Sequence, residues 1–195
     1  MKPNQKLKLS KKVQVKNMFD SISAEYDLLN RIMTFGNDIR WRKKIYKIAK
    51  SDNPKDILDI ATGTADIALE LSKITESSII GLDISEQMLE VGRKKINNKK
   101  LSNKVVLISG DAENLDYEKE SFDLVTIGFG VRNFENLEKG LKESHRVLRS
   151  RGKLIILETS IPENSIIKFF YLFFSRSFIP LIGSLFSKDK TAYQY

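Results

Sequence analysis

Five short apolar runs recur through the middle of the chain, and between them the apolar positions change to helical spacing. The runs are Ile57-Leu58-Asp59-Ile60, Ser78-Ile79-Ile80-Gly81-Leu82, Val105-Val106-Leu107-Ile108, Phe122-Asp123-Leu124-Val125-Thr126-Ile127 and Lys153-Leu154-Ile155-Ile156-Leu157-Glu158. Runs of this kind suit strands covered on both faces. Ile67, Ala68, Leu71 and Ile74 fall on one helical face, as do Met88, Leu89, Gly92 and Ile96, and then Leu137, Leu141, Ser144 and Leu148. Ser85 with Glu86 behind it predicts a capped helix start. Strand alternating with helix predicts an α/β fold: a Rossmann-like parallel sheet with right-handed crossovers and helices on both faces.

Upstream, Val15, Met18, Phe19 and Ile22 predict a short amphipathic helix. Residues 1–16 hold Lys2, Lys6, Lys8, Lys11, Lys12 and Lys16 and no acid. They read as a basic flexible tail or as a contact with an anionic membrane. Residues 24–36 set Tyr26, Asp27, Asn30 and the turn residue Gly36 among large apolar side chains. Residues 17–50 therefore read as an N-terminal helical lid over a pocket, or as a plain helical cover on the sheet. Ser51-Asp52-Asn53-Pro54 ends the helix begun near Trp41. The core follows over 51–160. Residues 161–195 are rich in aromatics, including Phe169, Phe170, Tyr171, Phe173, Phe174 and Phe178. Lys168, Arg176, Pro180 and Gly183 keep this segment short of the ~20 apolar residues of a membrane span. A helix on the core, a wall for an apolar substrate and an interfacial membrane contact all fit it.

At 195 residues the chain is long enough for one domain with a core. It has no cysteine and a single histidine, so thiolate and histidine-cluster metal sites are excluded and no metal is expected. His145 lies between charged neighbours and reads as structural or solvent-facing. The net charge of +8 favours an anionic partner without choosing among nucleic acid, lipid and acidic ligand. No apolar segment follows the N-terminus, so cytoplasmic residence is expected, peripheral at the inner face of the membrane if the basic tail engages lipid. Nothing in the pattern bears on oligomeric state.

The ligand signal lies in Asp59-Ile60-Ala61-Thr62-Gly63-Thr64-Ala65-Asp66. Small residues at 61, 63 and 65 let a ligand approach the backbone, and a helix start behind them aims amides at it. Asp83 stands at the end of the second strand, where dinucleotide-type folds grip ribose hydroxyls. Asp59, Asp83, Asp111 and Gly128 all fall at carboxyl ends of strands, where ligands bind in such sheets. A strand-capping glycine with no ligand is the plainer reading of the turn alone. Neither G-x-G-x-x-G nor a P-loop is present. A nucleoside with an amino-acid tail therefore fits better than a diphosphate, which points to S-adenosylmethionine, its ammonium within reach of Asp59.

Tyr26-Asp27-Leu28-Leu29-Asn30, Phe35-Gly36 and Trp41 resemble the N-terminal signature of the quinone C-methyltransferases of menaquinone and ubiquinone biosynthesis. The turn above, Asp83 to Leu89, Gly110-Asp111-Ala112-Glu113, Gly128-Phe129-Gly130-Val131-Arg132-Asn133, and Arg146-Val147-Leu148 through Glu158-Thr159-Ser160 follow in that family's order and spacing. The menaquinone branch is the nearer. Ala65 stands where many relatives have Gly, and Ser150-Arg151-Gly152 where Pro-Gly-Gly is usual. Relatives continue past the position of Tyr195, so the last two of seven strands are expected to be missing from this chain.

The resemblance implies a class I S-adenosylmethionine-dependent fold and methyl transfer to a ring carbon of demethylmenaquinol, a prenylated quinol. It implies that Thr64, Asp83, Asp111 and Ala112 hold the cofactor, with Gly63 and Thr64 supplying backbone near the methionine tail and Gly128 leaving room beside it. Tyr26, Arg132 and Asn133 are the catalytic candidates, with Asp27 a further candidate base. Arg132 is better suited to steady an oxyanion than to take a proton, because guanidinium stays charged. The prenyl tail would lie along the aromatic C-terminal segment. Two other readings stay open: a methyltransferase on another small molecule, the ubiquinone-pathway benzoquinol included, and an inactive cofactor-binding fragment. Nucleic acid is disfavoured, since no basic-aromatic stacking pattern surrounds the site.

Overall fold

The computed structural model describes Pro3 and residues 7–160. Three helices lead in: α1 (Lys11–Ile22), α2 (Tyr26–Met33) and α3 (Asn37–Lys50). The core then alternates: β1 (Asp56–Ile60), α4 (Asp66–Leu71), β2 (Ser78–Asp83), α5 (Glu86–Asn98) and β3 (Val105–Ser109). After it come β4 (Phe122–Gly128), a 3-10 turn over Val131–Asn133, α6 (Leu137–Val147) and β5 (Leu148–Leu157). All pairings are parallel and the strand order is β3-β2-β1-β4-β5.

β1 lies at the centre, and Ile57, Leu58, Asp59 and Ile60 are fully buried, as an apolar run with no polar face requires. Alternation along the strand divides its side chains between two cores. Ile57 packs with Ala68 and Leu71 of α4, Leu89 and Ile96 of α5, and Ile45 and Ala49 of α3. Leu58 and Ile60 pack with Leu82, Val125, Ile127, Phe134 and Val147 on the other side. The helices thus cover both faces and leave the carboxyl tips of the strands open to form a site.

Two boundaries differ from the sequence reading. The basic tail expected over 1–16 gives way to α1 at Lys11, because the Ser10 hydroxyl caps the Val13 amide at 3.3 Å and both Lys11 and Lys12 find partners across the fold. Leu148, expected on the face of α6, opens β5 instead. It pairs with Phe122, and a register shift before Leu124, with Arg151 at φ +68°, re-aligns the strand by Lys153. The expectations for 161–195 lie outside the described residues. No helix of the described residues is long and apolar enough to cross a membrane.

Candidate active site

The turn after β1 bends sharply: Ala61, Gly63 and Ala65 all have positive φ, at +54°, +55° and +67°. Only small or absent side chains tolerate that geometry cheaply. The turn is tied to β2, since the Thr62 amide donates to the Leu82 carbonyl at 3.0 Å and the Gly63 amide to Asp83 Oδ2 at 2.8 Å. Asp83 Oδ1 accepts from the Ser85 amide at 2.9 Å. Burial pushes the Asp83 carboxyl above its usual range, and the amides of Ser85, Gly63 and Ile84 pull it back.

At the tip of β3, Asp111 Oδ1 accepts from the Glu113 amide at 2.9 Å, while Oδ2 pairs with Lys12 of α1 at 2.6 Å. That hydrogen bond raises the Lys12 ammonium above its ordinary value. Glu113 in turn holds the Glu135 and Asn136 amides at 2.7 and 3.1 Å. At the tip of β4, Gly128 and Gly130 let the chain pass close to the first turn; a Cβ at Gly130 would fall 2.6 Å from that of Ala61. Phe129, also at positive φ, meets Trp41 of α3 with ring centroids 5.9 Å apart.

Helix α1 closes the cleft from above. Its Lys11 Nζ donates to the Arg132 and Phe134 carbonyls at 2.7 Å each, and Asp20 accepts from the Ser85 hydroxyl at 2.6 Å. Phe19 meets Tyr26 edge to face, with centroids 6.0 Å apart. The result is a cleft over the tips of β1, β2, β3 and β4. Among the described residues its charged lining is Asp83, Asp111, Glu113 and Glu135 against Lys12, an acidic set in a chain of net +8.

Seven of the sequence candidates line this cleft: Gly63, Asp83, Asp111, Ala112, Gly128, Tyr26 and Asn133. Burial raises the Tyr26 phenol above its usual value, opposed by a hydrogen bond with Asn30 and by the Arg132 charge. Three candidates lie elsewhere. Asp59 is fully buried beneath the turn, its two oxygens accepting from the Thr62 hydroxyl at 2.6 Å and the Thr126 hydroxyl at 2.5 Å. Expected within reach of a ligand ammonium, it here lies beneath the cleft lining with both oxygens engaged, and burial lifts this carboxyl to about 6. Thr64 is 2% exposed and turns its hydroxyl to Asp27 at 2.6 Å, so only its backbone can face a ligand. Asp27 also holds Lys95 at 2.7 Å, which occupies both of its oxygens. Arg132 is half exposed outside the cleft lining and paired with Glu158 at 2.8 Å. His145 is exposed on α6, as expected.

Sequence reasoning missed Lys12, Phe19, Met88 and Glu113 as walls of the site. The helical spacing of Val15 and Phe19 and the Ser10 cap were the available signals for α1. Nothing in the sequence told which of its faces would meet the cleft.

A family model described as the ubiE/COQ5 methyltransferase family matches residues 6–195. The chain is 42% identical over 186 residues to a demethylmenaquinone methyltransferase of Bacteroides fragilis, covering 95% of this chain and 76% of that protein. It is 40% identical over 184 residues to a ubiquinone/menaquinone biosynthesis C-methyltransferase UbiE of Geotalea uraniireducens, covering 93% and 78%. A crystal structure of an S-adenosylmethionine-dependent methyltransferase from Aquifex aeolicus superposes with a TM-score of 0.52 at 21% identity, over 57% of this chain and 60% of that one. That likeness is one of fold. The five motifs in their order, the acid-lined cleft at the strand tips and the match over 6–195 together place this chain in the ubiE/COQ5 methyltransferase family.

Proposed function

We propose that this protein transfers a methyl group from S-adenosylmethionine to a ring carbon of demethylmenaquinol. The observation that carries the reading is the meeting of Asp83 with the Gly63 amide, inside a cleft that also receives Asp111 and Ala112. The donor set fits the cofactor. Acidic side chains outnumber basic ones around the cleft, as a cation bearing ribose hydroxyls and an amine requires. A Cβ at Gly63 would meet only Met88 Cε, at 3.4 Å, so the absent side chain opens space on the cleft side of the turn.

In this reading Asp83 accepts from the ribose hydroxyls, Asp111 accepts from the adenine amino group and the Ala112 amide donates to the ring. Gly63 and the Thr64 backbone lie by the methionine tail, and Gly128 leaves room beside them. When bound, the cofactor supplies an already activated methyl group on a sulfonium. The residues of the chain have only to align the acceptor carbon with it and exclude water. Tyr26 and Asn133 orient the ring, and Arg132 steadies the oxyanion left when a ring hydroxyl loses its proton. Residues 17–50 act as the lid, and the basic N-terminal residues give a peripheral hold on anionic membrane, where a prenylated quinol would be met.

Incubation with methyl-labelled cofactor and a demethylnaphthoquinol tests the reading. Label in the quinol is expected; label in RNA and none in the quinol would overturn it. A benzoquinol of the ubiquinone pathway is the second reading, favoured by the 40% identity to the relative named for both pathways, and the same assay with both acceptors ranks the two.

A further inference from the structure

Arg132 is bonded to one residue, Glu158, and adjoins another in the chain, Asn133, that each keep an oxygen with no donor among the described residues. Its Nη1 donates to Glu158 Oε1 at 2.8 Å and to the Thr159 hydroxyl at 3.2 Å. The Thr159 amide donates to the same Glu158 Oε1 at 3.0 Å. Glu158 Oε2 is buried and has no hydrogen-bond partner among the described residues, and the same holds for Asn133 Oδ1, on the residue next to Arg132. A flipped Asn133 amide would not help, since its Nδ2 donates to the Phe129 carbonyl at 3.3 Å and reversal would set two oxygens together. Buried polar atoms nearly always find partners, and an exception calls for an explanation.

Their place gives one. Glu158 follows Leu157, which pairs with Gly128 in the sheet and accepts from the Phe129 amide at 2.7 Å. Gly128, Phe129 and Asn133 line the cleft. Glu158 therefore stands at the carboxyl tip of β5, one strand over from the cleft wall. Three other carboxylates of the sequence candidates and their neighbours have both oxygens engaged. Asp59 holds two threonines, Asp27 holds Thr64 and Lys95, and Asp111 holds Lys12 and the Glu113 amide.

We propose that Glu158 is a catalytic residue that receives the hydroxyl of the substrate ring. Oε1 stays with Arg132 and Thr159, Oε2 takes the hydroxyl hydrogen, and Asn133 Oδ1 is a second acceptor at the same rim. The inference rests on the quinol reading above. In the reactive complex the O–H bond breaks, the proton passes to Oε2, and the electron pair stays on the ring oxygen, whose charge faces Arg132. The neighbouring ring carbon gains electron density and would take the methyl as the methyl–sulfur bond breaks, that electron pair leaving with sulfur as a neutral thioether. The carbon then loses its own proton to solvent to restore the aromatic ring, and Glu158 Oε2 returns the first proton to the ring oxygen, giving the methylated quinol.

The test is Glu158→Gln, read in two ways. In the labelling assay its turnover falls about 10²–10⁴-fold, the usual worth of a general base, while cofactor affinity stays within threefold. Its rate then climbs steadily with pH, because only a hydroxyl ionising by itself, near ~10 for a phenol, can react. The second readout needs no turnover. Wild type binds 1-naphthol at least tenfold more tightly than 1-methoxynaphthalene, which has no hydrogen to give. Gln presents an N–H₂ donor in place of Oε2, so the variant loses that preference. Equal preference in wild type and variant, or a pH profile parallel to wild type, would overturn the proposal. The naphthol preference lost in the variant, with no label entering any quinol in wild type, would uphold Glu158 as the hydroxyl acceptor and reject the quinol methyltransferase reading. Should Glu158→Gln fail to fold, Glu158→Asp carries the same test, with a shortened acceptor that keeps only part of the preference.

Discussion

The Gly63 amide donates to Asp83 Oδ2 at 2.8 Å, so the acid at the tip of β2 holds the turn after β1 in its bent shape. Asp83→Ala removes that acceptor and the one for the Ser85 amide. Hydrogen bonds to charged groups are worth about 1.5–3 kcal/mol each. Loss of S-adenosylmethionine affinity by about 100-fold or more is expected by titration calorimetry, with a lower melting temperature. Equal affinity in wild type and variant would defeat the assignment.

Arg132→Ala separates binding from turnover. The guanidinium lies outside the cleft lining, against Glu158 and Thr159. Cofactor affinity should stay within about twofold while turnover of the quinol falls roughly 10²–10³-fold, the scale for removing one oxyanion donor. Arg132→Lys is expected to recover little, since lysine lacks the planar fork.

The buried Asp59 gives stability a pH dependence of unusual sign. Its folded value of about 6 exceeds the ~3.9 of an unfolded chain. The folded state therefore holds the proton more tightly between those values, and this contribution to stability falls as pH rises from about 4 to about 6. At ~1.36 kcal/mol per unit the swing is on the order of 3 kcal/mol. Asp59→Asn removes it, with the Thr62 and Thr126 hydroxyls free to rotate and suit an amide. The melting temperature of the variant relative to wild type should be clearly higher at pH 8 than at pH 4.5; the same difference at both would count against this account.

A second network fastens α2 and α3 to α4 and α5. Lys95 of α5 bonds Asp27 of α2 at 2.7 Å and Asp66 at the start of α4 at 2.5 Å, and Arg42 of α3 reaches the other oxygen of Asp66 at 3.0 Å. Lys95→Met leaves two part-buried acids without their shared cation. A cost of about 1–2 kcal/mol is expected, short of the 3–5 typical of a fully buried pair. Faster hydrogen exchange over Tyr26–Met33 would show α2 loosened, and unchanged exchange there would show that it is held by other contacts.

Much of this architecture was legible in the order of residues. The apolar runs and helical spacings placed five parallel strands, and the small residues at 61, 63 and 65 with Asp83 placed the turn and its partner acid. Asp59 has the residue type and the strand-end position of a ligand contact. Sequence cannot tell that Thr126, its register neighbour on β4, points to the same face and takes its second oxygen. Nor can it tell that the Thr64 hydroxyl turns to Asp27, 37 positions away on α2.

Local periodicity and turn chemistry depend on neighbours in the chain, so the sequence by itself determined the elements, their alternation and the strand tips where ligand groups collect. Burial and hydrogen-bond partnership depend on residues far apart in the chain. Only the tertiary structure decided that α1 roofs the cleft through Lys12 and Asp111, that Asp59 faces inward, and that Glu158 keeps a buried oxygen with no donor beside Arg132.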